Sequence, residues 1–263
     1  MTTIEILHNT LHGILRNWQQ ALRIFLVPLG VLVGLIVCFM SFGTKSVLID
    51  GQTVSVPSPF LFLLFPAIIL LVLWPVIAWH RLLVLNEATK GYVPSFRLKC
   101  VLWYLLYLVG LGLLLALVTL PLLAALGPTM LWSIDHEAVI NGKMLPPQFF
   151  IFQALISLPA IYLGIRFCLI LPSAAVEDQV GIFDSWRYTR KMGTAAVALA
   201  ILSAVVSLIL QVALIAAAPI LMEANGTGSM VIQIGQLAGQ LLSSLFVISL
   251  MSTMFVSLVR NKG

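Results

Sequence analysis

The sequence predicts an all-α polytopic membrane protein with six transmembrane helices, an N-terminal interfacial amphipathic helix and an internal helix-hairpin repeat. Of its 263 residues, 61% are hydrophobic and only 9% are charged. The mean hydropathy is +1.10. A soluble domain of this length needs more charge to cover its surface, so the composition excludes one. In addition, a pattern of polar residues recurs in two loops ninety positions apart.

Six apolar runs are long enough to cross a bilayer, because a spanning helix needs about 20 consecutive apolar residues. Proline and glycine inside these runs do not exclude helices, since transmembrane helices tolerate both. We therefore predict one integral membrane domain, residues 1–263, with repeat units at about 60–126 and 149–218. The six runs lie at about residues 22–42, 60–85, 101–126, 149–171, 194–218 and 230–258.

Residues 1–20 are predicted to form an amphipathic helix on the inner membrane surface. This segment lacks the short apolar core and cleavage site of a secretory signal, so we expect it to stay attached. His8 and His12 lie four residues apart, a spacing that can hold a metal or haem iron, but a solvated pair is the simpler interpretation. The apolar residues at helical spacing are Ile4, Leu7, Leu11, Ile14, Leu15 and Trp18.

The basic residues fall on one side of this topology, which the positive-inside rule makes the cytoplasmic side. Both termini are therefore predicted to be cytoplasmic. The net charge of +5 belongs to that face, where anionic lipid headgroups are the expected partners. No arginine-rich run indicates nucleic-acid binding. Only Lys45 and Lys143 are predicted to lie outside; the inner residues are Arg16, Arg23, Arg81, Lys90, Arg97, Lys99, Arg166, Arg187, Arg190, Lys191, Arg260 and Lys262.

The segments outside the predicted spans are short. Residues 46–56 alternate apolar and polar around Asp50-Gly51, which is typical of a small β-hairpin. The loop at about 127–148 contains Asp135-His136-Glu137, but it lacks the second histidine of a zincin motif. The cysteines are predicted to be packing residues, because none forms a C-x-x-C pair. We predict no metal site and no cofactor.

The two similar loops share the pattern Glu-x3-Gly-x3-Ser-aromatic-Arg, at residues 87–97 and 177–187. The glycines are expected to let the chain reverse after a helix, and the aromatic residues suit the headgroup level. These turns are either topology determinants or one cytoplasmic docking surface or gate. The predicted turn and anchor residues are Gly91, Phe96, Gly181 and Trp186.

Charged residues near the inner ends of the spans are predicted to form a polar cluster. An arginine at mid-membrane depth costs about 2.5 to 3.5 kcal/mol on insertion scales, so Arg81 and Arg166 are each expected to find a carboxylate. A structural role in joining the helix pairs is favoured over a proton or substrate path. The predicted cluster comprises Arg81, Glu87, Arg97, Arg166, Glu177, Asp178 and Arg187.

The last predicted span places amide side chains along one helix face and contains a G-x-x-x-G pattern. Both features favour close helix packing. A narrow polar conduit is the alternative interpretation. The residues concerned are Gln233, Gly235, Gln236, Gly239 and Gln240.

Two stretches resemble the signatures of uncharacterised bacterial multi-pass inner-membrane proteins. They are Trp79-His80-Arg81-Leu-Leu-Val-Leu-Asn-Glu87 and the stretch from Arg166 through Pro172 to Ser185-Trp186-Arg187-x-Thr189-Arg190. This pattern is similar to YciC-like proteins and to the membrane domain fused to some glycerophosphodiester phosphodiesterases. The resemblance covers about residues 75–195 and implies a six-helix bacterial inner-membrane protein. It supplies no catalytic residue. Asn86 replaces the glycine expected before Glu87, so the first turn is expected to differ in shape.

The sequence therefore favours a non-enzymatic accessory or scaffolding protein. Its expected partners are membrane lipids and either a membrane protein or a second copy in a homo-oligomer. One alternative is a solute or lipid transporter in which the two repeats rock. Another is a haem- or metal-binding membrane protein that uses His8, His12 or His80. No Ser/His/Asp order or phosphate-binding glycine loop indicates an enzyme.

Overall fold

The computed structural model folds into helices and one β-hairpin. It describes residues 2–42, 44–49, 52–57, 60–133, 147–178, 180–190, 192, 194–195, 197–202, 205–206, 209 and 228–260. The elements in chain order are α1 (Thr3–Arg16), α2 (Trp18–Phe42), β1 (Thr44–Ile49), β2 (Gln52–Pro57), α3 (Phe60–Leu85), α4 (Leu98–Ser133), α5 (Pro147–Phe167), α6 (Ile170–Ala175), α7 (Ile182–Arg190) and α8 (Gly228–Leu258).

Four helices in the described part of the chain are long and apolar enough to cross a membrane, which indicates a membrane protein. The predicted fourth span falls on α5; the apolar stretch within its described side chains is Leu155–Phe167, and the side chains of residues 147–154 lie outside the described set. Of the predicted fifth span, residues 210–218 lie outside the described residues, and the described residues from 194 to 209 are helical. The four candidate spans are Trp18–Leu35, Leu64–Leu85, Leu98–Pro128 and Leu241–Leu258.

The predicted hairpin between the first two spans is confirmed. Strands β1 and β2 pair in antiparallel register, with Ile49 opposite Gln52 and Thr44 opposite Pro57. Two residues, Asp50 and Gly51, therefore connect the strands. This length suits a tight turn, for which Asp-Gly is a preferred sequence.

Helix α3 is the centre of the helix packing, since it contacts α2, α4, α6 and α8. Trp79 on α3 is completely buried and packs with Ile24 of α2. On another side of α3, Ile77 belongs to a buried cluster with Val101 of α4 and residues of α6. Because α3 is apolar around its circumference, it can bury several faces at once. The polar residues near its end are thereby held among four neighbouring helices.

The predicted N-terminal helix is present as α1. Its start is stabilised by a capping box, in which Thr2 accepts from the Glu5 backbone N–H and Glu5 accepts from the Thr2 N–H. One face packs against α8 and buries Ile6 and Thr10. The opposite face leaves Ile4 and other apolar side chains exposed. The helix thus has a narrow buried face against the protein and exposed apolar side chains on the opposite face.

Candidate functional site

The ends of several helices meet around the first turn, residues 87–97. Arg260, beyond the end of α8, donates a hydrogen bond from Nη1 to the Val84 carbonyl at 3.1 Å. Thr89 donates from Oγ1 to the Gln20 side-chain oxygen, near the start of α2, at 3.0 Å. These bonds bring the end of α3, the start of α2 and the end of α8 to the same end of the bundle.

Glu87 is the centre of the charged site. Its Oε2 accepts from Arg81, with distances of 2.7 Å to Nε and 2.6 Å to Nη2. Its Oε1 accepts from Arg97 Nη2 at 2.8 Å. Each carboxylate oxygen therefore serves a different arginine. The predicted pairing of Arg81 with a carboxylate is present, and it supplies the counter-charge that a largely buried guanidinium needs.

The same arginines connect the two similar turns. Arg97 Nη1 lies 3.9 Å from Oε1 of Glu177. Arg81 Nη1 donates to the carbonyl of Ala175, the last residue of α6, at 2.9 Å. The Cys100 thiol, at the start of α4, donates to Oε1 of Glu177 at 3.2 Å. The first and second turns are thus neighbours, and their charges form one continuous network.

The environment of Glu87 lowers the pKa of its carboxyl group. Partial burial is the largest single influence and raises the pKa, because it disfavours the charged form. The hydrogen bonds and positive charges of Arg81 and Arg97 together outweigh burial. The net result is a pKa below the ordinary value of 4.5, so the carboxylate remains charged at neutral pH.

The special backbone conformations of the turns lie at Asn86 and Glu177, where φ is 55° and 60°. The prediction that Gly91 and Gly181 provide them is wrong, since neither glycine has φ between +20° and +160°. Asn86 directly follows α3, so the left-handed residue ends that helix as a glycine often does, and asparagine tolerates this region better than most residues. Asn86 thus takes the left-handed conformation in the position where a glycine was expected.

Arg166, at the end of α5, forms a second and separate polar centre. Its Nε and Nη2 donate to the Tyr162 hydroxyl at 2.9 and 2.7 Å, and its Nη1 donates to the Thr189 carbonyl at 2.7 Å. The guanidinium carbon lies 5.0 Å from the ring centre of Tyr162 and 5.4 Å from that of Trp186. Among the described residues, neutral oxygens and aromatic rings thus replace the expected carboxylate. Since Thr189 is near the end of α7, the positive charge also suits the helix dipole.

Side chains of α7 also donate hydrogen bonds to α5. Ser185 donates a side-chain hydrogen bond to the Arg166 carbonyl at 3.0 Å, and the Thr189 hydroxyl shares its proton between this carbonyl, at 3.0 Å, and the Ser185 carbonyl, at 2.8 Å. Both hydroxyl groups are fully buried. The carbonyl lies in the last turn of α5, where helix carbonyls lack intrahelical donors. Sequence reasoning missed this role, although hydroxyl residues four positions apart on a short amphipathic helix are a usable signal.

The aromatic anchors pack against the preceding helices. Phe96 contacts Trp74 of α3 edge-to-face, with ring centres 5.7 Å apart, and Trp74 donates from Nε1 to the Pro94 carbonyl at 3.1 Å. Trp186 contacts Phe167 of α5, with ring centres 5.5 Å apart. Each turn is therefore held to its preceding helix by an aromatic pair. Phe96 remains 51% exposed and Trp186 39% exposed, so both still offer apolar surface outside the bundle.

A third polar centre lies between the helices. The Nδ1 atom of His80 lies 2.7 Å from the Ser252 hydroxyl, and its Nε2 lies 3.2 Å from the Tyr104 hydroxyl. Ser252 donates its single proton to the Ile248 carbonyl at 3.0 Å. Nδ1 of the imidazole therefore donates to the Ser252 hydroxyl, while its Nε2 lies within hydrogen-bond distance of a hydroxyl that can donate or accept. This network connects α3, α4 and α8.

A neighbouring bond links α3 and α8, because Trp79 Nε1 donates to Ser249 Oγ at 2.8 Å. In the described part of the chain, every buried side-chain nitrogen or oxygen has a hydrogen-bond partner. Sequence reasoning did not identify Tyr104, Ser249 or Ser252. It considered His80 only as a metal or haem ligand, and here both of its ring nitrogens are occupied by protein hydroxyls.

The remaining predicted residues make other contacts. Arg187 pairs with Asp184 on the exposed side of α7, at 3.4 Å. Asp178 donates from its backbone N–H to the Ser173 carbonyl at 2.9 Å. His8 and His12 stack with ring centres 6.2 Å apart. No group of three potential metal ligands occurs among the described residues. Helix α8 includes positions 233–240, but the packing predicted for Gln233, Gly235, Gln236, Gly239 and Gln240 concerns side chains outside the described set.

Comparison with known proteins gives no relative whose residues can be compared with this site. No family model matches the chain, and no curated protein or solved structure is significantly similar to it. The likeness to YciC-like proteins therefore stays a prediction, and the function is argued from the geometry alone.

Proposed function

We propose that this chain is a non-enzymatic accessory or scaffolding protein of the bacterial inner membrane, with six spans, both termini in the cytoplasm and the two similar turns on the cytoplasmic side. The observation that carries the proposal is the contact of Arg97 with both Glu87 and Glu177, at 2.8 and 3.9 Å. A charged group that joins two turns in this way holds helix ends together. Such a use of charge suits a rigid structural component.

The outer face of α4 supports a role in assembly. Leu106, Leu113 and Leu117 are 58%, 68% and 76% exposed. In a membrane, side chains of this kind are covered by lipid or by a helix of another chain. Gly110 and Gly112 lie in the same region and have open space where a side chain would begin. Small residues at such positions let a second backbone approach closely. We propose a membrane-protein partner or a second copy at this face.

Photo-crosslinking tests this proposal. A photoreactive amino acid at position 113 should give one discrete adduct with a membrane protein or with a second copy of the chain. The matched control is the same amino acid at Val101, which lies on the same helix and is 1% exposed; it should crosslink only within the chain. If position 113 gives lipid adducts alone, the scaffold proposal loses its interface.

The second candidate function is transport, and the His80 network favours it. A histidine, a tyrosine and a serine linked between three helices form a polar pathway of the type that transporters use. Proteoliposomes containing the pure protein should show no solute accumulation above empty vesicles if the chain is a scaffold. Accumulation that His80→Phe abolishes would establish the transporter instead.

A further inference from the structure

Helix α7 exposes aromatic and basic side chains on one face. Phe183 is 86% exposed and Trp186 is 39% exposed. The Arg187 side chain is 76% exposed, and Arg190 is also exposed. At 3.6 residues per turn, these four positions fall within about 100° of the helix circumference. We call these four residues the α7 face.

The other side of α7 is fixed to the bundle. Ser185 and Thr189 are fully buried on the Arg166 carbonyl. The α7 face is therefore held in one orientation. Phe183, Arg187 and Arg190 are directed away from the protein, while Trp186 at its edge also contacts Phe167. Exposure of Phe183 to water is unfavourable, because burying a phenylalanine side chain contributes about 1.5 to 3 kcal/mol.

The first turn offers the same combination of groups close by. Tyr92 is 60% exposed, and Lys90 and Lys99 are exposed as well. The two turns are joined through Arg97 and Glu177. The surface also contains four carboxylates: Asp184 lies 3.4 Å from Arg187 Nη2, Glu87 and Glu177 lie beside Arg81 and Arg97, and Asp178 is exposed. Six basic residues accompany them, so positive charge still predominates; the six are Arg81, Lys90, Arg97, Lys99, Arg187 and Arg190.

We propose that the α7 face binds anionic phospholipid headgroups at the inner membrane surface. Phe183 and Trp186 enter the boundary between the headgroups and the acyl chains, and Arg187 and Arg190 bind lipid phosphates. Amphipathic helices with this composition lie in that boundary, and each basic residue near an anionic surface adds to the attraction. The inference rests on the proposed membrane placement and names the lipid that the cytoplasmic surface recognises.

Lipid selectivity tests the proposal directly. The full-length protein is reconstituted in bilayers of phosphatidylcholine with a minor fraction of spin-labelled phosphatidylglycerol, and electron paramagnetic resonance gives the relative affinity for the anionic lipid. The variant Arg187→Gln/Arg190→Gln should reduce this preference by about fivefold for each arginine. Phe183→Ser should also reduce it, and high salt should weaken the preference of the wild type, because it screens the charges.

The matched control is Arg16→Gln/Arg23→Gln, which removes two exposed arginines elsewhere on the proposed inner side and gives the same net charge. It should leave most of the preference intact.

Equal losses in both double variants would overturn the proposal, since the attraction would then be diffuse. Unchanged lipid preference with loss of a co-purifying membrane protein would overturn it in favour of a protein partner. Because the bilayer assay contains no partner, its failure leaves the crosslinking result at position 113 unaffected. Circular dichroism verifies that each variant folds.

Discussion

At the scale of single residues, Glu87 determines how two arginines are accommodated. Arg81 is at the end of an apolar helix and its side chain is 11% exposed, so it needs an acceptor that the helix itself does not supply. The left-handed conformation of Asn86 ends α3 and is followed at once by the carboxylate. The reversal and the ion pair are therefore consecutive features of one short segment, Asn86-Glu87.

Replacing Glu87 by Gln should lower the free energy of unfolding by about 1 to 2 kcal/mol, measured by denaturant titration in mixed micelles. The loss is smaller than for a fully buried pair because Glu87 is 36% exposed. Asp184→Asn, which removes the exposed pair with Arg187, should change stability by less than about 0.5 kcal/mol. Equal effects of the two substitutions would contradict a central role for Glu87.

The same carboxylate gives a dependence on pH. Because the pKa of Glu87 is lower in the folded protein than its ordinary value of 4.5, its contribution to stability is complete above that value and is lost as the pH falls through the folded pKa. The Glu87→Gln variant should lack this part of the acid sensitivity.

The partners of the two arginines show what sequence reasoning can reach at this scale. Arg81 and Glu87 are six residues apart across a recognisable helix end, so their pairing was predictable. Arg166 binds the carbonyl of Thr189, a backbone atom that carries no sequence signature. Its choice of acceptor depends on how α7 docks, and the residue types alone do not specify that geometry.

At the scale of elements, the α5–α7 contact is the most specific local structure. Arg166 binds the end of α7, while Ser185 and Thr189 bind the end of α5. Each helix therefore supplies donors for a carbonyl group near the end of the other. We expect this reciprocal arrangement to fix α7 more strongly than the short length of the helix would suggest.

The double substitution Ser185→Ala/Thr189→Ala should destabilise the protein by about 2 kcal/mol, since it leaves a buried carbonyl without its donors. Amide hydrogen exchange in α7 should accelerate. The control is Thr119→Ala on α4, where the hydroxyl binds the Leu115 carbonyl within its own helix; it should have little effect. Unchanged exchange in α7 would show that other contacts hold this helix.

The two similar turns differ because of one residue. Pro94 in the first turn occupies the position that corresponds to Asp184 in the second. A proline disfavours a helical conformation at the preceding residue, Val93, so a helix cannot begin at Tyr92, the position that corresponds to Ile182, where α7 begins. The proline is visible in the sequence and indicates a non-helical first turn. The similar residues on either side of it led to the expectation that the two turns are alike.

At the scale of the whole molecule, the contact between the two turns requires them to lie on the same side of the membrane. In a cysteine-free background, Tyr92→Cys and Asp178→Cys, both at exposed positions, should react with an impermeant maleimide in inverted vesicles and be protected in intact cells. Lys45→Cys, in the hairpin region, should show the opposite pattern. Labelling of positions 92 and 178 from opposite sides would refute the proposed topology.

Composition and hydropathy were sufficient to predict a helical membrane protein and four of its candidate spans, because each span depends only on local apolar length. They were not sufficient to predict that α3 is central. That arrangement depends on contacts between distant positions, such as the hydrogen bond from Trp79 to Ser249. Pairings of this kind depend on shape as well as on residue type, and one sequence does not reveal them.

The length of α4 has a consequence for the surrounding bilayer. Its apolar stretch, Leu98–Pro128, contains 31 residues and is about 46 Å long, whereas the hydrocarbon core is about 30 Å thick. Even a tilt of about 40° leaves a projected length of about 35 Å. This hydrophobic mismatch favours locally thicker lipid around the protein, or a bend at Pro121 that lays the outer end along the membrane surface. With a straight α4 the protein should partition into the thicker regions of its membrane, whereas a bend at Pro121 removes that preference.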